Sequence, residues 1–401
     1  MHTPAEAEGL IRDHLPPFQR EDCPVASAHG RVLRTELRAD RDLPPFDRVT
    51  MDGFALRSAD WKAGTRQFTV AAVQAAGMRA FELGADVGAC IEVMTGAVLP
   101  IGADCVVPNE AMRREGTTVR LTVTGVVEPG QAVHRKGGDH RAGEVIVPAG
   151  VRVTGREVAV AAACGVPVLA VSRLPRIAVI ATGDELVEVD APVAPHLLRR
   201  SNDYALRAAL LASGYPVVER FHFRDIRDEI EHLLWHIVAE FDVIVLTGGV
   251  SKGKFDYLPS ELERQGVSKI FHRIGQCPGK PLWFGMSSRQ TPIFALPGNP
   301  VSAYTCLHRY VLPALAEAAG LPPPKCRLVA LAESVVFRPK LARLLPVRLH
   351  SGPGAVLLAS PQPTNTSGDF AGLVGTDGFV ELPPEPEEFV SGTIAPFHPW
   401  I

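Results

Sequence analysis

The feature that most constrains the fold lies between Arg176 and Gly249, where short, continuously apolar strands alternate with helix-patterned segments. RIAVIAT (176–182) is β-branched and apolar throughout and ends in TGDEL. NDYALRAALLAS (202–213) repeats its apolar residues at helical spacing and stops at Gly214. YPVVERFHF (215–223) reads as a second strand, RDEIEHLLWHIVAEF (227–241) as a helix and DVIVLTGG (242–249) as a third strand. This alternation is the signature of a doubly wound sheet with helices on both faces. PIFALPG and a helix from Asn299 to about Gly320 extend it.

The rest of the chain is built differently. Residues 4–15 read as an amphipathic helix, and 25–40 as a helix-to-strand region leading into LPPFDRVTMDGFA. From about Phe68 to Arg135, the segments FTVAAV, AFELGADVGACIEVM and TTVRLTVTGVV read as short strands punctuated by turn residues. VIVPAGVRV and VPVLAV read as further strands around a short helix over 154–164. After the proline-rich break at Pro322–Lys325 the pattern returns to short strands, which predicts a small all-β terminal domain.

A length of 401 residues is too great for one ordinary hydrophobic core. Basic and acidic side chains number 41 and 44, a net charge of −3, so no strongly basic face for nucleic acid is expected. The N-terminus lacks a basic start and an apolar core, and the apolar runs fall short of a membrane span. Seven cysteines without a CxxC pair predict reduced thiols and a cytoplasmic protein.

Open parallel sheets place ligands outside the carboxyl ends of their strands. Three such ends here carry TGDEL, FRD and TGGVSKGKFD, so Asp184, Glu185, Asp225 and Asp256 are expected on one rim. Taken alone, Asp184 reads best as a helix cap or a solvated loop residue. As a set the carboxylates are costly unless they meet a cation, which predicts a magnesium-dependent phosphate site. Gly248 and Gly249, with Ser251 and Gly253, can present backbone N–H groups to an anion. The PGKP turn adds Lys280, and LPGNPVS (296–302) opens a helix whose N-terminus favours negative charge.

The strings PPFDRVTMDGFA, IEVMTGAVLPIGADCVV, HRKGGD, IATGDEL, FRD, TGGVSKGKFDY, PGKP and LPGNPVSAY occur in order along the chain. Together they resemble the molybdopterin molybdenumtransferases, the family of the bacterial MoeA proteins and the gephyrin E domain. The resemblance implies a four-part subunit. Residues 1–44 with 136–174 would form a discontinuous α+β domain for linking and dimerisation, and 45–135 a β-rich lid. Residues 175–321 would form a MogA-like α/β domain that binds molybdopterin, and 322–401 a β-barrel-like terminal domain. An elongated homodimer is implied, with the site in the inter-subunit cleft. There adenylylated molybdopterin would lose its adenylate and receive molybdate, with magnesium assisting. The molybdopterin adenylyltransferase and other cofactor-assembly proteins are implied as partners.

Carried over position by position, Asp52 and Thr95 belong to lid motifs and Asp139 to the RKGGD motif. Glu185, Asp225 and Asp256 are the rim carboxylates and metal ligands, and Lys280 and Pro281 the PGKP turn. Gly248, Gly249 and Ser251, with Pro297, Gly298, Asn299 and Ser302, would contact the pterin compound. Arg343, Arg348 and Ser367 stand where the family holds oxyanions. One departure is Cys277, which precedes PGKP where the family has a basic residue; Arg273 keeps a cation upstream. Asp52 could instead cap the turn at Gly53, and Thr95 could be an ordinary strand-end hydroxyl. Two other readings of the chain are a pterin adenylyltransferase, which shares this sheet, and a non-enzymatic scaffold. The extra domains weigh against the first, and the lack of a long linker against the second.

Overall fold

The computed structural model describes residues 1–122, 126–224, 226–249, 258–362 and 364–400. Its central sheet runs Val218–Phe223, Ile177–Thr182, Val243–Thr247, Pro292–Leu296, Trp283–Met286, Ser268–His272. The first four strands are parallel; the last two pair antiparallel and close one edge. Alternate residues of each apolar strand feed opposite cores, as the period of two requires. Ile177, Val179, Val243 and Val245 pack with Leu206, Leu210 and Leu307. Ala178, Ile180, Ile244 and Leu246 pack with Leu234, Ile237 and Leu258 on the other face. Cutting any fully buried Leu or Ile among these to Ala costs about 2–5 kcal/mol.

The helices follow the sequence pattern closely, at Asn202–Ala212, Arg227–Glu240 and Gly155–Ala163. The helix expected from Asn299 begins at Pro300 but widens into a π turn over Leu307–Val311 before resuming as Leu312–Ala318. Pro313 has no N–H to give and its ring crowds the carbonyl a turn earlier, which accounts for the widening. The N-terminal helix Pro4–His14 is closed by a Thr3–Glu6 capping box, and its Ala7 and Ile11 are buried in the same core as Tyr310 and Leu315.

Two expectations gave way. Residues 25–40 form a single 3-10 turn, Val25–Ser27, and a two-residue strand, Leu37–Arg38. In AFELGADVGACIEVM only Ala89–Val93 is a strand. The stretch before it is looped because Gly88 takes a left-handed φ of 77° and Arg57 holds the carbonyls of Gly84 and Asp86.

Ala89–Val93 lies in a second six-stranded sheet ordered Cys105–Pro108, Gly53–Leu56, Ala89–Val93, Gln67–Gln74, Thr118–Leu121, Met112–Glu115. The segments before and after that sheet meet again, since Arg20–Pro24 pairs antiparallel with Val168–Ser172 over a core of Cys23, Leu33, Leu37, Val153 and Val171. At the C-terminal end Ala342–Ser351, Leu357–Pro361, Arg327–Leu331, Ile394–Pro399 and Gly378–Leu382 pair in a ring that closes on the first strand. This small barrel is stitched to the α/β unit by Gln276–Cys277, parallel to Ala342–Arg343.

A buried ion pair ties three parts together. Arg309 reaches Glu8 of the N-terminal helix at 2.8 Å and Glu381 of the barrel at 2.7 Å. Burial would raise the Glu381 carboxyl, but His398 and Arg309 outweigh it and hold the group at about 2. No helix among the described residues is long and apolar enough to cross a membrane.

Candidate functional site

From Ile177–Thr182 the chain crosses first to Val218–Phe223 on one side and then to Val243–Thr247 on the other. The loops after Thr182 and Thr247 therefore diverge, and a crevice opens at this switch of direction. It is a cavity of about 640 Å³, within the ordinary range for a small-molecule site. Thr182, Thr247, Gly248 and Gly249 form its floor, and Glu185, Leu198, Arg199 and Arg200 one wall. Pro297, Gly298 and Asn299 form the other wall, with Pro281 and Gly368 at the edge.

Local sequence explains the shape. Gly248 has φ 99°, and a Cβ there would lie 2.7 Å from both the carbonyl and the hydroxyl oxygen of Thr182. Only glycine permits that approach. Asn202, at the start of its helix, donates from Nδ2 to Thr247 Oγ1 at 2.9 Å and to the Gly298 carbonyl at 2.7 Å. Thr247 Oγ1 in turn donates to the Pro297 carbonyl at 3.1 Å. One amide thus fixes floor and wall together. The barrel reaches the same place, for Asn299 Nδ2 donates to Ser367 Oγ at 2.7 Å and Val301 N to the Ser367 carbonyl at 3.0 Å.

Beneath the first helical turn Asp203 is fully buried, taking Arg200 at 2.5 Å and Arg220 at 3.0 Å. Arg200 also holds Glu188 at 2.6 Å. Two cations and two anions cancel there, so the burial is tolerable.

Of the residues expected from sequence, Glu185, Gly248, Gly249, Pro281, Pro297, Gly298 and Asn299 line this cavity, and Ser367 stands one hydrogen bond behind Asn299. Lys280 is exposed in the turn beside Pro281. Arg343 donates to Cys277 Sγ at 3.4 Å, so the cysteine that precedes PGKP still lies against a cation. Ser302 is buried inside its helix at 4% exposure. Arg348 gives its Nε to the Gly375 carbonyl at 2.9 Å, away from the cavity lining. Asp184 sits 3.8 Å from Arg224. Asp225, Ser251, Gly253 and Asp256 lie outside the described residues.

Asp52, Thr95 and Asp139 do not line the cavity. Asp52 Oδ1 accepts from Thr95 N at 2.6 Å and from Thr95 Oγ1 at 2.7 Å. Those two bonds, the hydroxyl first, hold the Asp52 carboxyl below its usual range. Asp139 Oδ1 is 3.0 Å from His134 Nε2. Sequence reading passed over Thr182, Arg199, Arg200, Asn202 and Thr247. The available signal was the polar run Arg199–Asp203 directly ahead of an apolar helix.

As to magnesium, no group of three His, Cys, Asp or Glu side chains gathers among the described residues. Glu185 fits a cation ligand, since its carboxylate is within the cavity wall and has no ion pair or hydrogen bond among them.

Comparison with known proteins shows the family. The family model for the MoeA N-terminal region (domain I and II) matches residues 2–165. A probable molybdopterin binding domain matches 178–317, and the MoeA C-terminal region (domain IV) matches 329–400. A molybdopterin molybdenumtransferase of Synechocystis is 39% identical over 401 residues, covering all of both chains. The chain belongs to the molybdopterin molybdenumtransferase family. It is an enzyme of the transferase class. A second member, molybdopterin molybdenumtransferase 2 of Mycobacterium tuberculosis, is 31% identical over 98% of each chain. The family fold is also seen in the crystal structure of a molybdopterin biosynthesis MoeA protein from Pyrococcus horikosii. It is 29% identical with a TM-score of 0.82, covering 100% of this chain and 99% of that one.

Proposed function

We propose that this enzyme transfers molybdenum from molybdate to the dithiolene of adenylylated molybdopterin and releases AMP. The observation that carries the reading is the cavity at the sheet's switch point, with a glycine-shaped floor and the side chains of Glu185 and Arg199, which have no partner among the described residues, in a chain of this family. Gly248 and Gly249 let the phosphoanhydride approach the strand ends, and Asn202 keeps the Thr247 and Gly298 loops apart at a fixed width. Glu185, with Asp225 and Asp256, would hold magnesium, which when bound withdraws charge from the phosphate being cleaved. Molybdate would sit on the barrel side, held by Lys280 of the PGKP turn, by Arg343, which lies against Cys277, and by Ser367, which is bonded to Asn299. The dithiolene sulfurs are soft ligands for molybdenum. One water is consumed in cleaving the anhydride to release AMP, and as the sulfurs bind, their two protons and one oxide of molybdate leave as water.

The working enzyme is a cytoplasmic homodimer in this reading. Support comes from Asp52, Thr95 and Asp139, which carry family motifs yet do not line the cavity of their own chain. A second subunit can bring them there. The test is turnover of adenylylated molybdopterin with molybdate and magnesium, following AMP and the molybdenum-loaded pterin. Release of AMP that depends on molybdate supports the reading; formation of adenylylated pterin from ATP instead would replace it with the adenylyltransferase reading.

A further inference from the structure

Charge bookkeeping in the switch-point cavity singles out one residue that neither family motifs nor sequence spacing drew attention to. Four ionisable side chains line the cavity among the described residues, namely Glu185, Arg199, Arg200 and Asp203. Arg200 is 6% exposed, with one Nη held by Glu188 and the other by Asp203. Asp203 is held on its other side by Arg220. These groups neutralise one another and are locked in place. Arg199 is the contrast: it is exposed, and its guanidinium has no hydrogen bond or ion pair among the described residues.

Its backbone is nonetheless well placed. Leu198–Arg199 pairs in parallel with Leu186–Val187, and Leu198 N donates to the Glu185 carbonyl at 2.8 Å, while Arg200 N donates to Val187 O at 2.9 Å. This short strap carries a carboxylate and a guanidinium on one wall without pairing them to each other. At the floor, Thr182 is 6% exposed, and its buried Oγ1 has no hydrogen-bond partner among the described residues.

We infer that Arg199 binds the phosphate of the pterin substrate. This rests on the proposed function above. A guanidinium suits this task because its planar fork meets two oxygens of one phosphate and its charge is independent of pH. Phosphate is favoured over molybdate as the partner because Lys280 and Arg343, the cations near the PGKP turn, do not line this cavity.

The test compares wild type with Arg199→Gln and Arg199→Lys, measuring KM for adenylylated molybdopterin and for molybdate separately. A hydrogen-bonded charge contact is worth about 1.5–3 kcal/mol, so Arg199→Gln should raise KM for the pterin by about 10- to 100-fold. Arg199→Lys should recover part of this, KM for molybdate should hold, and the melting temperature should not move because the side chain has no partner among the described residues to lose. Unchanged pterin KM in an active Arg199→Gln enzyme would overturn the assignment and leave the proposed function standing. A rise in KM for molybdate alone would overturn it in favour of a molybdate contact. A wild type that does not turn over adenylylated molybdopterin would overturn both.

Discussion

In the α/β unit the motif loops turn their polar groups into a cavity, whereas around the Gly53–Leu56 sheet the motif residues bind one another. Glu185 and Arg199 have no side-chain partners at the strand ends among the described residues. Asp52 is instead consumed by Thr95, and Asp139 by His134. Even the backbone is shaped for the second pair: a Cβ at Gly138 would lie 3.3 Å from the His134 ring and 2.9 Å from the Arg135 carbonyl. Unpaired groups in a cavity are built to meet a ligand. Groups already paired and held rigid form a finished edge, useful only when something else is brought against it. In the proposed homodimer a second subunit would supply that arrangement.

The largest expected effect separates charge from fold. Glu185→Gln should lower AMP release on the order of 100-fold, the scale of losing one well-placed electrostatic contact, without moving the melting temperature. Turnover above a tenth of wild type would break the contrast on the cavity side. Asp139→Ala should lower AMP release to a similar degree. Normal activity there would show that the paired edge plays no part in the chemistry.

A smaller effect belongs to Asn202→Ala. It removes two donated hydrogen bonds at about 1 kcal/mol each, so unfolding by denaturant should report a loss of about 1–2 kcal/mol. KM for the pterin should rise about tenfold as the Gly298 wall drifts from the floor. A loss of stability with unchanged KM would make Asn202 a purely structural tie.

Acid also distinguishes the two regions. His308 lies at the seam between the α/β unit and the barrel, its ring 5.0 Å from that of Trp400. Burial outweighs the Tyr304 carbonyl bond and lowers His308 from 6.5 to about 4. The unfolded chain therefore takes up a proton below pH 6.5 that the folded protein refuses until about 4, and stability falls across that window as pH drops. The full loss is on the order of 3 kcal/mol. Asp52 is lowered from 3.8, so its bond to Thr95 persists through the same window and fails only below it. The denaturant midpoint of unfolding should fall between pH 6.5 and 4, and His308→Phe should abolish that fall. A wild-type midpoint that holds across this window would contradict the assignment.

Much of the architecture could be read from residue pattern. Ile177–Thr182 and Val243–Thr247 are apolar on both faces, a pattern that only a sheet covered on both sides can satisfy. The LPGNP and TGG strings marked the rim because backbone must approach backbone there, as the Gly248 contact with Thr182 shows. What escaped were features that depend on distant partners. Gln276–Cys277 is a strand only because Ala342–Arg343 lies beside it. The antiparallel edge of Ser268–His272 and Trp283–Met286 has no strong local signature. Asn202 shows in the sequence only as the start of a helix, and its role depends on the fold bringing Thr247 and Gly298 within reach of it.

The central claim is that the cavity and the paired edge complete one site across two chains. Differently tagged Glu185→Gln and Asp139→Ala chains should be co-expressed and the mixed dimer purified through both tags. Each parent is expected to be nearly inactive, while the mixed dimer has one site carrying both substitutions and one carrying neither. Its AMP release should therefore approach about half that of wild type. A mixed dimer no more active than its parents, or a fully active wild type that remains monomeric in light scattering, would contradict the account.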